Sequence, residues 1–166
     1  MLKRRPIPRW LAIPWWWLLV GNVIETAICS AFRVDSGSLL STGTWFLTGW
    51  GLLQAWWLWQ ADSRSRALFW YAADAIADLF VLWFDWIDRR HPGHHFALAS
   101  MIVFCASVAC VVIGILVFRR DLTRYSLEAE GVDPELSWWM SVMFSTFYFQ
   151  YQFHLTTTYQ AVEQEA

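Results

Sequence analysis

The chain reads as an all-α, polytopic helical membrane bundle, with four transmembrane helices and a fifth C-terminal helix that spans the bilayer or lies in its interface. Three observations carry that expectation. Hydrophobic residues make up 57% of the 166 and charged residues 16%, against about 25% charged in an average soluble domain. Fourteen residues are Trp, whose indole sits well at the headgroup level of a bilayer. Four apolar stretches read as long enough to span, at about 20 residues for a hydrocarbon core of about 30 Å. The length suits a single membrane domain over 1–166.

The first span is expected at 10–32. It is longer than the core of a secretory signal and is interrupted by Asn22 and Glu25, so it is not read as one. The following RVDSGSLLSTG is rich in Ser and Gly and reads as a turn region. The second span is expected at 45–61 and the third at 67–87. Only Asp62-Ser63-Arg64-Ser65-Arg66 lies between them, which forces an antiparallel hairpin. The fourth span is expected at 96–118, where Ala106, Cys110 and Gly114 form a small-xxx-small row suited to close helix packing.

Beyond it, DLTRYSLEAEG reads as a short polar helix stopped by Gly131. Asp133-Pro134-Glu135 then has the form of a helix start, with an N-cap Asp, Pro at N1 and an acid in the first turn. A fifth helix is expected over 134–158. Phe147 to Thr156 also alternates like a strand, but a lone strand cannot satisfy its backbone in lipid. Cys29, Cys105 and Cys110 all lie in apolar segments and read as buried free thiols.

Lys and Arg set the orientation. With the N-terminus in the cytoplasm, that side holds Lys3, Arg4, Arg5, Arg9, Arg64, Arg66, Arg119, Arg120 and Arg124, and the other side only Arg33, Arg89 and Arg90. The positive-inside bias therefore predicts a multi-pass protein of the inner or plasma membrane with a cytoplasmic N-terminus. The basic start, MLKRRPIPR, reads as a topology anchor that attracts anionic lipid.

Within the third span Asp74, Asp78, Asp85 and Asp88 fall at i, i+4, i+11 and i+14. At about 100° per residue they share a stripe about 80° wide. Asn22, Glu25, Thr26 and Cys29 share one face of the first span. At about 1.5 Å per residue, Glu25 comes to a depth comparable with Asp78 and Asp85. The expectation is that the two polar faces meet, so that Asn22, Glu25, Asp74, Asp78 and Asp85 line one pocket. No Lys or Arg lies deep enough to neutralise those acids, which must hold a proton or bind a cation. The inner half lacks acids, and a complete pore would need polar groups from Gln54 or a neighbouring subunit.

Asp88 with His91, His94 and His95 is a candidate metal-ligand set, since imidazoles and carboxylates suit divalent transition metals. The HxxHH spacing is that of one histidine box of membrane desaturases, but those enzymes need several boxes and the chain has four His in all. The DxxxD of Asp74 and Asp78 resembles the metal-binding acids of membrane prenyl- and alcohol-phosphotransferases, without their longer flanking patterns. There is no Gly-rich phosphate loop, GxSxG, HExxH or CxxC. Nothing supports nucleic-acid binding.

Three functions fit these residues. The first is a binding, transport or complex subunit whose acidic face forms a proton- or cation-accepting pocket, or a pore shared between protomers. The second is a membrane-embedded enzyme, dependent on a divalent metal or on carboxylates, acting on a lipid, quinone or isoprenoid. The third is a scaffold in a larger assembly. The expected partners are the lipid bilayer and either further copies of the chain or other membrane subunits.

Overall fold

A computed structural model describes residues 5–8, 10–31, 45–90, 97–131 and 133–165; the side chains of 29–31, 85, 89, 97, 130 and 159–165 lie outside that description. The described residues form helices and no strand: α1 (Trp16–Ala31), α2 (Trp45–Ala61), α3 (Ala67–Arg90), α4 (Ala97–Tyr125) continued by a π-turn (Ser126–Glu130), and α5 (Trp138–Glu165). Two of them, over Ala67–Asp88 and Leu98–Ala129, are long and apolar enough to cross a membrane. The apolar part of α1, Trp16–Ile28, is shorter, and α2 has 17 residues.

Prolines delay α1 relative to the expected start at Trp10. Leu11 and Ala12 donate to the Pro8 carbonyl at 2.8 and 3.2 Å, closing a separate turn. Pro14 has no N–H of its own, and the helix begins behind it as Trp17 donates to the Pro14 carbonyl at 3.1 Å. The segment ahead of α1 is part of the core: Ile7 and Leu11 are buried. The Gln150 amide of α5 holds it in place, donating to the Leu11 and Ile13 carbonyls at 2.8 and 2.6 Å.

The α2–α3 hairpin forms where the apolar runs break. Asp62 closes the turn as Ser65 donates to its carbonyl at 2.9 Å, and the Ser65 hydroxyl accepts the Ala67 N–H at the start of α3. Small residues let the helices approach. A Cβ on Gly51 would lie 3.0 Å from the Tyr71 ring, and one on Gly114 would lie 3.3 Å from the Trp70 Cβ. Of the small row on α4, Gly114 is buried, Cys110 half-buried and Ala106 exposed.

Aromatic rings fill the space between α2, α4 and α5. Phe118 stands 4.5 Å from Phe149 and Trp57 stands 5.1 Å from Phe153, centroid to centroid. Tyr71 meets Phe118 edge-on at 6.2 Å.

The C-terminal third departs from expectation in two places. The polar stretch after the fourth span is not a separate helix but the continuation of α4, which winds through the π-turn and stops at Gly131. That glycine takes φ 69° and ψ 14°, a left-handed conformation open to residues without a Cβ, and donates to the Ser126 carbonyl.

The helix start at Asp133-Pro134-Glu135 is also overturned: residues 133–137 are irregular and α5 begins at Trp138. Tertiary bonds outweigh the local signal. Arg119 donates to the Leu136 carbonyl at 2.7 Å, and the Tyr148 hydroxyl accepts the Ser137 N–H at 3.2 Å. Leu136 is drawn into the core. The Asp133 carboxylate accepts the Glu135 N–H at 3.0 Å instead of capping a helix. Inside α5 the backbone kinks at Ser145, with φ 38° and ψ −117°.

Candidate functional site

The first two acids of the α3 stripe, Asp74 and Asp78, turn toward α4. Asp74 is 5% exposed and Ser107 6%, while Asp78 is half-buried. The Ser107 Oγ lies 2.7 Å from the Asp74 Oδ1 and 2.8 Å from the Asp78 Oδ1. Two carboxyl groups one helical turn apart on α3 thus converge on a single hydroxyl of α4. The hydroxyl has one proton and can donate it to only one of them. The other short contact is completed when the second carboxyl brings a proton of its own and donates to Oγ. The geometry therefore suits an acid pair that holds one proton beyond the serine's.

For Asp74 and Asp78 this arrangement replaces the expected pairing with α1. Among the described side chains Glu25 meets neither of them: its carboxylate accepts the Phe46 N–H at 3.1 Å, at the first turn of α2. An anion there complements the exposed N–H groups and partial positive charge of a helix start. Asn22 is half-buried on α1, and its carbonyl accepts the Thr26 hydroxyl at 2.9 Å. Periodicity identified the polar face of each helix, but the neighbour of a face is a tertiary matter, decided here by the close α3–α4 approach at Gly114. The missing partner was present in the sequence as a lone hydroxyl within the apolar run FCASVAC.

Of the outer candidates, only Asp88 is described with its side chain. Asp88 is exposed, and Arg90 lies over the Trp86 ring at 4.3 Å. The side chain of Asp85, and all of His91, His94 and His95, lie outside the described residues. Among the described residues no three His, Cys, Asp or Glu come together as a metal-binding group.

A second polar centre joins α2 to α5. Gln150 is fully buried and satisfied on both sides of its amide. Its Oε1 accepts from Trp50 Nε1 at 2.8 Å and from Gln54 Nε2 at 3.0 Å, while its Nε2 holds the two carbonyls ahead of α1. His154 Nδ1, one turn on, lies 3.0 Å from the Ala12 carbonyl.

The third centre, at the Arg-rich end, was not anticipated. Asp62 and Asp121 are 1% and 0% exposed. The Asp62 Oδ2 accepts from Arg124 Nε and Nη2 at 3.0 and 2.5 Å, and its Oδ1 accepts from the Arg64 backbone N–H and Nε at 3.0 and 3.2 Å. Asp121 accepts the Arg66 N–H at 3.2 Å and the Arg120 guanidinium at 3.0 and 3.1 Å. Burial by itself would push the Asp62 carboxyl up, but the Arg64 N–H and the Arg124 and Arg64 guanidinium groups override it and hold it below its ordinary value. Arg64 is raised by its bond to Glu128 at 2.8 Å and by Asp62. These contacts fasten the α2–α3 turn to α4; the only sequence signal was acids placed among arginines where apolar runs end.

No protein-family model, curated protein or solved structure matches this chain.

Proposed function

We propose that this chain is a four-span membrane protein with α5 packed beside the spans, acting as a binding, transport or complex subunit through a proton-holding carboxyl pair, Asp74 and Asp78. One observation carries the reading: both carboxyls share the Ser107 hydroxyl, and one hydroxyl proton does not complete both short contacts. An ionisable group within a span is costly in lipid and is retained where it binds a proton, an ion or a partner. The positive-inside bias supports a cytoplasmic N-terminus, and the membrane-facing side of the bundle carries large apolar residues such as Ile76, Phe80 and Met101.

The test uses the full chain reconstituted in vesicles. Infrared spectra at neutral pH are expected to show the C=O band of a protonated carboxyl, and Asp74→Asn combined with Asp78→Asn removes it. An unchanged band in the double variant overturns the assignment. A pH-sensitive dye trapped in the same vesicles separates the roles. Proton movement lost in the variant marks transport, and a retained band without movement marks a subunit that binds protons.

A further inference from the structure

We propose that Arg66 and Arg120 form a binding site for the headgroups of anionic phospholipids at the Arg-rich end of α3 and α4. This rests on the membrane reading above.

Four of the described arginines at that end are bonded elsewhere. Arg5 donates to Gln60, Arg64 to Asp62 and Glu128, Arg119 to the Leu136 carbonyl, and Arg124 to Asp62. Arg66 differs: its backbone N–H is bonded to Asp121, but its guanidinium has no partner among the described residues. Asp121 meets Arg66 through the backbone only: its Oδ2 accepts that N–H, while its Oδ1 accepts the Arg120 guanidinium and lies 3.5 Å from Arg124 Nη2. Arg120 itself is 65% exposed, so one edge of its guanidinium rests on Asp121 and the rest faces outward.

Below each of these two cations runs an exposed apolar column. Arg66 stands one turn from Phe69, which is 66% exposed, and the same side of α3 continues through Ile76, Phe80 and Trp83, all exposed. Over the 14 residues from Phe69 to Trp83 the column runs about 21 Å, close to the depth of one leaflet and part of the next. Arg120 stands one turn from Leu116, and Ile113 and Val112 continue that side of α4. A guanidinium at the head of a hydrocarbon-facing column is complementary to an amphiphile with a phosphate head and acyl tails. A soluble anion would use only the head of that arrangement. Guanidinium binds phosphate oxygens through paired N–H donors, and a basic residue near the membrane surface favours anionic lipid.

The experiment places the full chain in nanodiscs of equal phosphatidylglycerol and phosphatidylcholine and reads the lipids retained by native mass spectrometry. Retention is expected to favour phosphatidylglycerol, and Arg66→Gln with Arg120→Gln to lower that preference, by about fivefold for each arginine. The pair Arg66→Lys and Arg120→Lys, which preserves charge, is expected to keep most of it. Equal retention of both lipids by the native chain, or a preference unmoved by the Gln pair, overturns the proposal. Alkaline carbonate extraction separates this failure from a deeper one. A chain released by carbonate loses the membrane reading and this site together, whereas a chain retained without lipid preference loses the site alone.

Discussion

A serine hydroxyl carries one proton, yet Ser107 has a carboxyl oxygen within hydrogen-bonding distance on each side. That mismatch gives the stripe on α3 chemical meaning, and it was only half legible in the sequence. The spacing of Asp74 and Asp78 placed them on one face of one helix. It carried no information about which helix would lie opposite, and Ser107 drew no notice as a small residue in an apolar run. Asp62 and Asp121 were similarly hidden, because acids beside arginines at the end of a span look solvated until the chain folds over them. Their burial leads to a prediction at this scale. Asp62 is held below its ordinary value in the folded state, so its contribution to stability is complete above that value, 3.8, and is lost as pH falls through the lower folded one. Unfolding in detergent followed against pH is expected to show an acid-side loss of stability that is absent in Asp62→Asn. At neutral pH Arg124→Ala, which leaves buried carboxylates short of their counter-charge, is expected to cost about 3 kcal/mol.

Among the elements, α2 has the same bounds in structure as in sequence, because polar residues end the apolar run abruptly after Ala61. The start of α5 is the opposite case. Asp133-Pro134 is a strong local signal, but Arg119 and Tyr148 reach the backbone of Leu136 and Ser137 and hold that stretch irregular. Pro14 is an intermediate one: it shortens α1, and the displaced residues become a strap, anchored by the buried Leu11, that Gln150 fastens. One side chain therefore organises three segments. Gln150→Leu is expected to strand the Trp50 and Gln54 donors and two carbonyls, at about 1–3 kcal/mol for each group left without a partner. Thermal unfolding in detergent reads that loss. Gln152→Leu, at a half-buried position two residues away, is expected to change the midpoint little by comparison. Equal effects from the two substitutions would show that the strap is not held through Gln150.

At the scale of the molecule, two kinds of polar group are separated along the α3–α4 hairpin. Charged groups that pair with one another lie at the Arg-rich end, where Asp62, Asp121 and Arg124 lock the α2–α3 turn to α4. Carboxyls without a cationic partner lie further along the α3–α4 hairpin, tied only to a serine. On the membrane reading proposed above, a bilayer accounts for this order, because ions pair cheaply at the boundary and acids at depth are tolerated once protonated and hydrogen-bonded. That reading requires α3 to cross the membrane, and the crossing is measurable without any knowledge of substrate. In a background lacking Cys29, Cys105 and Cys110, a single cysteine at Ser63, in the exposed α2–α3 turn, and another at Asp88, exposed near the far end of α3, report the two ends. With an impermeant maleimide, Ser63→Cys is expected to react from the cytoplasmic side only and Asp88→Cys from the opposite side only. Labelling of both positions from one side would mean that α3 does not cross, and the membrane reading would fall while the shared Ser107 contact stood.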